Sequence, residues 1–176
     1  PCFSPDGKRI AYCTSEGGTG DIAVAKANGN NPRILTGGTP NTDMQPYWSA
    51  KGDRILYMST RLGDSDVYAV DESGDNDINL TNAPKDSWDM DGSLSPNGKQ
   101  VVFASWRSGS LEVYVMDAEG HNIVDLTRSK DTQDRHPRWS PNGKSLVFER
   151  TGSDGQTRLW LMDADGSDPR PVFEDA

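Results

Sequence analysis

Residues 134–143 read DRHPRWSPNG, and this stretch decides the fold. Its first half predicts a short extended strand, because Pro137 restricts both its own φ and the backbone of the residue before it. This strand places Trp139 in a core. Its second half predicts a tight turn, since proline suits the second turn position and Gly143 accepts the positive φ that closes the turn.

Three sequence markers recur at a nearly constant interval. Glycines that close this turn have steps of 45, 46 and 45 residues, at Gly7, Gly52, Gly98 and Gly143. A second set of glycines has steps of 45, 46 and 46 residues, at Gly29, Gly74, Gly120 and Gly166. Leu-Thr pairs begin at Leu35, Leu80 and Leu126, and Val172-Phe173 takes the fourth place. Three independent markers in one register indicate a repeat architecture.

Within each repeat, apolar residues alternate with polar ones, which predicts β-strands rather than helices. The second repeat predicts four strands, at Met44–Trp48, Ile55–Met58, Asp66–Val70 and Ile78–Leu80. Four antiparallel strands in about 45 residues form the sheet of a β-propeller blade. We therefore predict an all-β chain, a single propeller region of four four-stranded antiparallel blades, at approximately 1–38, 39–83, 84–129 and 130–176.

Two segments of the fourth repeat carry a family resemblance. Residues 139–144 read WSPNGK and residues 161–166 read LMDADG. Together with the Leu-Thr pairs, they resemble the repeat of the TolB-like β-propeller family, a WD40-like, PD40-type repeat. The resemblance implies more than four blades, and an open arc would leave apolar faces of both terminal blades in water. We expect part of a larger propeller, or one completed by a second copy; a self-closed four-bladed ring is the third alternative.

The resemblance is compatible with several different functions, because proteins with one propeller fold perform many unrelated functions. The favoured hypothesis is a non-enzymatic scaffold that binds a protein, peptide or saccharide at a channel mouth, in the periplasm or outside the cell. One alternative is an accessory propeller of a larger hydrolase or lyase, similar to prolyl oligopeptidases or oligogalacturonate lyases. Another is a structural, filament-forming surface protein. The sequence has no Gly-x-Ser-x-Gly motif and only two histidines, so no catalytic constellation stands out.

Charge and hydrophobicity exclude some classes of partner, and the positions of the two cysteines indicate whether they form a disulfide bridge. Eighteen basic and 27 acidic residues give a net charge of −9, which disfavours nucleic acid. No apolar run is long enough to insert into a membrane as a helix. A three-residue loop at Pro5 would place Cys2 opposite Ile10 and Cys13 on the other face of the sheet, which disfavours a bridge between the two cysteines.

Six residues are predicted to bind a partner. Trp88 and Trp106 lie at loop positions where the repeat does not require tryptophan, and loop aromatic and arginine residues often anchor partners. Filling of gaps between blades is the alternative explanation. His136 lies on an inner strand, where a lone histidine is more often a satisfied polar residue. The complete set is Arg61, Trp88, Asp89, Trp106, Arg107 and His136.

A cation site is also predicted, while no organic cofactor is expected. Asp43, Asp89 and Asp134 occupy equivalent positions at the start of the innermost strands, where carboxylates ringed around a channel could hold Ca²⁺ or another divalent cation. Asp91 adds a second carboxylate to the third repeat, which has Gly92 where the other repeats have proline. The simpler interpretation is that each aspartate caps its own strand or turn.

Overall fold

The structure is a computed structural model that describes residues 1–16, 19–38, 40–82 and 86–173. These residues form sixteen β-strands and no helix. Four sheets result, each built from four consecutive antiparallel strands. None of the described residues forms a helix that is long and apolar enough to cross a membrane. The predicted all-β class and the four-stranded antiparallel sheets are confirmed.

The strands follow one another in chain order within each sheet. Sheet 1 contains β1 (Cys2–Phe3), β2 (Arg9–Thr14), β3 (Asp21–Lys26) and β4 (Arg33–Ile34). Sheet 2 contains β5 (Asp43–Trp48), β6 (Arg54–Ser59), β7 (Asp66–Asp71) and β8 (Ile78–Asn79). Sheet 3 contains β9 (Asp89–Leu94), β10 (Gln100–Ser105), β11 (Glu112–Asp117) and β12 (Val124–Asp125). Sheet 4 contains β13 (Gln133–Trp139), β14 (Ser145–Thr151), β15 (Thr157–Asp163) and β16 (Arg170–Pro171).

The core lies between successive sheets. Alternate residues of a strand point to opposite faces, so Leu56 packs toward sheet 3 while Ile55 and Tyr57 pack toward sheet 1. Three apolar clusters of described residues fill the interfaces between sheets 1 and 2, 2 and 3, and 3 and 4. At the two ends, Phe3 is 65% exposed and Leu159 is 40% exposed. The sheets thus form an arc with an apolar face at each end.

Side-chain hydrogen bonds explain the turn that begins with serine. The Ser140 hydroxyl accepts a hydrogen bond from the backbone N–H of Ser145 at 3.0 Å and donates one to Asn142 at 2.8 Å. Ser4 and Ser95 form the same pair of bonds, and Ser49 forms it with Asp53, four residues further on, as the acceptor. Gly143 closes the turn at a φ of +69°, as predicted.

The Leu-Thr marker has a structural explanation in the third strand of sheets 1 to 3. Leu80 is buried between sheets 2 and 3, while Thr81 accepts a hydrogen bond from the N–H of Val67 at 3.0 Å. The same hydroxyl donates to Asp66 at 3.1 Å. Sheet 4 replaces this acid by Arg158 and the Leu-Thr pair by Val172-Phe173, so both partners of the bond are absent together.

The first hairpin differs from the prediction by one residue. Cys2 lies opposite Ala11 rather than Ile10, because the N–H of Ser4 bonds to the carbonyl of Arg9 and the loop contains four residues instead of three. Cys13, two residues beyond Ala11, therefore lies on the same face of the sheet as Cys2, so the predicted placement on the other face was wrong. Both cysteines are free thiols. The Cys2 sulfur accepts a hydrogen bond from the N–H of Trp48, at 3.3 Å.

Candidate functional site

Two tryptophans that the repeat does not require lie together in one cavity. Trp88 and Trp106 line a cavity of about 560 Å³ together with Asp64 and Asp86. Trp88 is 57% exposed and Trp106 is 38% exposed. We call this cavity the Trp88–Trp106 cleft.

Backbone pairing places these four residues at the junction of sheets 2 and 3. Trp88 directly precedes β9 and Trp106 directly follows β10, and the N–H of Trp106 donates to the carbonyl of Trp88 at 3.0 Å. Asp64 lies in the loop between β6 and β7. Its carboxylate accepts a hydrogen bond from the N–H of Asp86 at 2.8 Å, which links this loop to the segment that enters sheet 3.

The other repeats show that the backbone does not need tryptophan here. Thr42 and Thr60 occupy the equivalent positions in sheet 2, and their backbone hydrogen bond is nearly the same, at 3.1 Å. Gln133 and Thr151 face each other in sheet 4. Only small or polar side chains therefore replace the indoles in these two sheets, so the pair of tryptophans is specific to one junction.

Asp89 and Arg107, both predicted to bind a partner, bind each other inside sheet 3. Asp89 is fully buried, and the Arg107 guanidinium donates to it at 2.6 Å. Arg107 also lies over the rings of Phe103 and Tyr114, at 5.2 and 5.3 Å from their centroids. Burial raises the pKa of the Asp89 carboxyl, while Ser105 and Arg107 act in the opposite direction. This geometry indicates a structural pair rather than a surface for a partner.

Sheet 2 contains a related pair. Arg61, another predicted binding residue, lies 3.5 Å from Asp43 and 2.6 Å from Asp77. Its guanidinium lies 4.3 Å from the centroid of the Tyr68 ring. Asp43 is buried, so most of its surface is unavailable to a ligand.

Sheet 4 forms the same kind of pair from a different position. Arg150 donates to both carboxylate oxygens of the buried Asp134, at 2.8 and 2.7 Å. The equivalent positions in sheets 2 and 3 hold Ser59 and Ser105, which end their strands. An arginine thus reaches the same carboxylate from either of two positions in the repeat.

The predicted cation site gains no support from this arrangement. Asp43, Asp89 and Asp134 each lie beside an arginine of their own sheet, which supplies the compensating charge. Among the described ranges, no group of three or more His, Cys, Asp or Glu side chains is arranged to hold a metal ion. A channel cation therefore stays a prediction.

His136 and Asp91 come together, away from the residues that line the Trp88–Trp106 cleft. His136 has a φ of +53° at a β-bulge, and Asp91 and Gln45 have similar φ at the equivalent bulges. The His136 Nε2 lies 3.6 Å from Asp91, and its Nδ1 lies 3.1 Å from Glu149. Burial raises the pKa of Asp91, while the charges of His136 and Arg138 act in the opposite direction.

Asp64 and Asp86 were not predicted from the sequence. Asp86 precedes Trp88 by two residues, so its position in the sequence alone indicated that it lies near Trp88. Asp64 lies 24 residues before Trp88 (88 − 64 = 24) and is brought to it only by the packing of two sheets. Its one detectable signal is that Ser110 occupies the equivalent position in the next repeat.

A family comparison agrees with this fold. A sequence profile described as the TolB beta propeller domain matches residues 1–175. The chain belongs to that family. The predicted resemblance to TolB-like propellers is thereby confirmed.

This chain matches only part of the length of individual TolB-family relatives and structural neighbours. The Tol-Pal system protein TolB of Anaeromyxobacter dehalogenans (strain 2CP-C) is 46% identical over 46 residues, which are 26% of this chain and 10% of that protein. A structure assigned as a TolB from Agrobacterium tumefaciens has a TM-score of 0.85 and 26% identity, over 97% of this chain and 63% of that chain. The chain therefore spans less than two thirds of either protein.

An enzyme shares the fold as well. An oligogalacturonate lyase from Vibrio parahaemolyticus has a TM-score of 0.77 and 16% identity, over 99% of this chain and 52% of that chain. At this level of identity the likeness shows the fold alone.

Proposed function

We propose that this TolB-family propeller chain is a non-enzymatic scaffold that binds a protein or peptide in the Trp88–Trp106 cleft. One observation carries the proposal: two exposed indoles face one cavity, at positions where sheets 2 and 4 have threonine or glutamine. Tryptophan offers a large apolar surface with few rotatable bonds, and it is enriched among the residues that dominate binding energies.

The family supports a location and a class of partner. One relative is a Tol-Pal system protein. We therefore propose that the chain acts in the periplasm and that its partner is a protein of the cell envelope. The second candidate function, an accessory propeller of a hydrolase or lyase, is supported by the fold alone. The described residues of the cleft include no catalytic group beyond two carboxylates.

The end faces of the arc support a separate proposal of self-association. Sheet 1 carries Phe3, Ile10 and Tyr12 at the positions where sheet 2 carries Trp48, Ile55 and Tyr57, which pack on sheet 1. Sheet 4 carries Val147, Leu159 and Leu161 where sheet 2 carries Leu56, Val67 and Ala69, which pack on sheet 3. We propose that sheet 4 of one copy packs on sheet 1 of a second copy, in the manner of successive sheets.

Selection from a phage-displayed library of short random peptides tests the binding function. We expect enriched peptides to lose at least about tenfold in affinity with Trp88→Ala or Trp106→Ala, because a central aromatic anchor contributes more than about 1.4 kcal/mol. Phe173→Ala is the matched control, since Phe173 is 74% exposed and follows the outermost strand of sheet 4. Thermal unfolding of each variant establishes that it is folded.

Two outcomes would contradict the proposal. One is the absence of any enriched peptide with measurable affinity for the chain. The other is equal binding of the enriched peptides to the two tryptophan variants and to Phe173→Ala.

A further inference from the structure

Resting on the proposed function, we propose that the Trp88–Trp106 cleft recognises a basic side chain, lysine or arginine, of its peptide partner. Two indole faces and two carboxylates line the cleft, and none of these four residues is basic. A cation gains from both kinds of group, because the face of a tryptophan ring attracts positive charge and a carboxylate forms an ion pair with it.

One carboxylate of the cleft is held in place before any ligand binds. The hydrogen bond from the N–H of Asp86 to an Asp64 oxygen, at 2.8 Å, fixes the Asp64 side chain between the two sheets. Asp64 is partly buried, whereas Asp86 is exposed at the rim. A preformed site loses less conformational entropy on binding, so this bond favours capture of a ligand.

The neighbouring cavity provides an internal comparison. The cavity between sheets 3 and 4, of about 350 Å³, shares Trp106 and has Asp131 at the position of Asp86. Its described lining has no second tryptophan, and Ser110 stands at the position of Asp64. Of these two cavities, only the cleft between sheets 2 and 3 therefore combines paired indoles with two carboxylates among its described lining residues.

The donor and acceptor inventory favours a cation over a saccharide. Carboxylates accept hydrogen bonds and cannot donate them when ionised, and the indole Nε1 is the one donor type among the described lining side chains. Sugar hydroxyls both donate and accept, so a saccharide would leave several acceptors without a side-chain donor. The ammonium of lysine and the guanidinium of arginine only donate, which matches this lining. The net charge of −9 also attracts a basic peptide over a distance.

The test uses two blocked tripeptides with the same shape and different charge. Acetyl-Gly-Arg-Gly-amide carries a guanidinium, and acetyl-Gly-citrulline-Gly-amide replaces it by a neutral urea group. The indole N–H signals of Trp88 and Trp106 are followed by NMR during titration, after their assignment with single Trp→Phe variants. We expect saturable shifts of both signals with the arginine peptide, at least about tenfold weaker binding of the citrulline peptide, and loss of affinity at high salt.

Charge variants make the test specific. Asp64→Asn keeps an acceptor for the N–H of Asp86 and removes the charge, and we expect it to weaken binding about three- to tenfold, as is typical of a partly exposed ion pair. Asp75→Asn is the matched control, because it changes the net charge equally from an exposed turn between β7 and β8. Asp75→Asn is expected to leave the affinity unchanged.

Four results would overturn the inference. Equal affinity for the citrulline and arginine peptides would show that the cleft does not recognise the positive charge. An equal loss of affinity with Asp64→Asn and Asp75→Asn would show attraction to the whole surface rather than to the cleft. If maltotriose shifts the two indole signals and the arginine peptide does not, the ligand of the cleft is a saccharide instead. If library peptides bind through Trp88 and Trp106 but contain no lysine or arginine, this inference fails and the proposed function stands.

Discussion

The glycine in the turn after the third strand provides a graded test of packing between sheets. Gly29, Gly74, Gly120 and Gly166 all have φ between +83° and +90°. A Cβ atom at Gly29 would meet nothing within 4 Å, because no described sheet precedes sheet 1. The nearest atom would be the Leu35 oxygen at 3.6 Å for Gly74 and the Leu126 oxygen at 3.1 Å for Gly166. At Gly120 the Leu80 oxygen would lie well inside 3.0 Å.

The magnitudes follow from two contributions. Alanine in the left-handed region costs about 1–2 kcal/mol, and the smaller entropy of the unfolded chain offsets about 0.4–1 kcal/mol of this cost. These effects are common to all four sites. Overlap with a backbone oxygen adds about 1–3 kcal/mol, because the backbone of Leu80 cannot move freely. We therefore expect Gly29→Ala to lower the free energy of unfolding by about 1 kcal/mol and Gly120→Ala by about 2–4 kcal/mol.

Thermal unfolding of the four alanine variants measures this series. For a chain of this size, 1 kcal/mol corresponds to about 2–4 °C in Tm, so the difference of about 1–3 kcal/mol should make Gly120→Ala melt about 2–12 °C below Gly29→Ala. Gly74→Ala should resemble Gly29→Ala, and Gly166→Ala should lie between the extremes. Equal Tm values for all four variants would contradict this prediction, because they would show that contact with the preceding sheet contributes nothing at this turn.

Two further predictions concern pH and assembly. Burial raises the pKa of Asp91, so its contribution to stability is fully present below the unfolded pKa and is lost as pH rises through the folded pKa. The Tm of Asp91→Asn should therefore rise relative to that of the original chain as pH increases from the unfolded to the folded pKa of Asp91. A Tm difference between the two proteins that stays constant with pH would contradict this prediction. Light scattering of the chain should show a mass that rises with concentration, and Phe3→Asp or Leu159→Lys should restore the monomer mass while Leu62→Lys, at an exposed loop position, should not. A monomer at every concentration would exclude pairing of the end faces.

The strands and turns were predictable because their determinants are local. Ser140 and Gly143 close a turn through bonds that span five residues, and the pattern that encodes them repeats along the chain. The Leu-Thr marker was recognised without its cause, since the bond from Thr81 to Asp66 joins the segment after β8 to the start of β7, 15 residues away in the chain. A repeat thus allows an element to be located before its interactions are known.

The candidate site was only partly predictable. Trp88 and Trp106 stand out because other repeats lack them, but their shared cavity and its acid Asp64 depend on how sheets 2 and 3 pack. Arg107 looked like a surface residue from its loop position. Its guanidinium instead turns back onto the buried Asp89, an interaction that no spacing in the sequence predicts.

The location of a bound peptide shows directly whether the Trp88–Trp106 cleft binds a partner. The chain has five tryptophans, of which Trp48 and Trp139 lie in the cores between sheets. When a peptide selected on the chain is titrated, the account predicts that the indole N–H signals of Trp88 and Trp106 shift together to saturation, while those of Trp48 and Trp139 stay in place. Saturating binding that leaves the signals of Trp88 and Trp106 unmoved would contradict it.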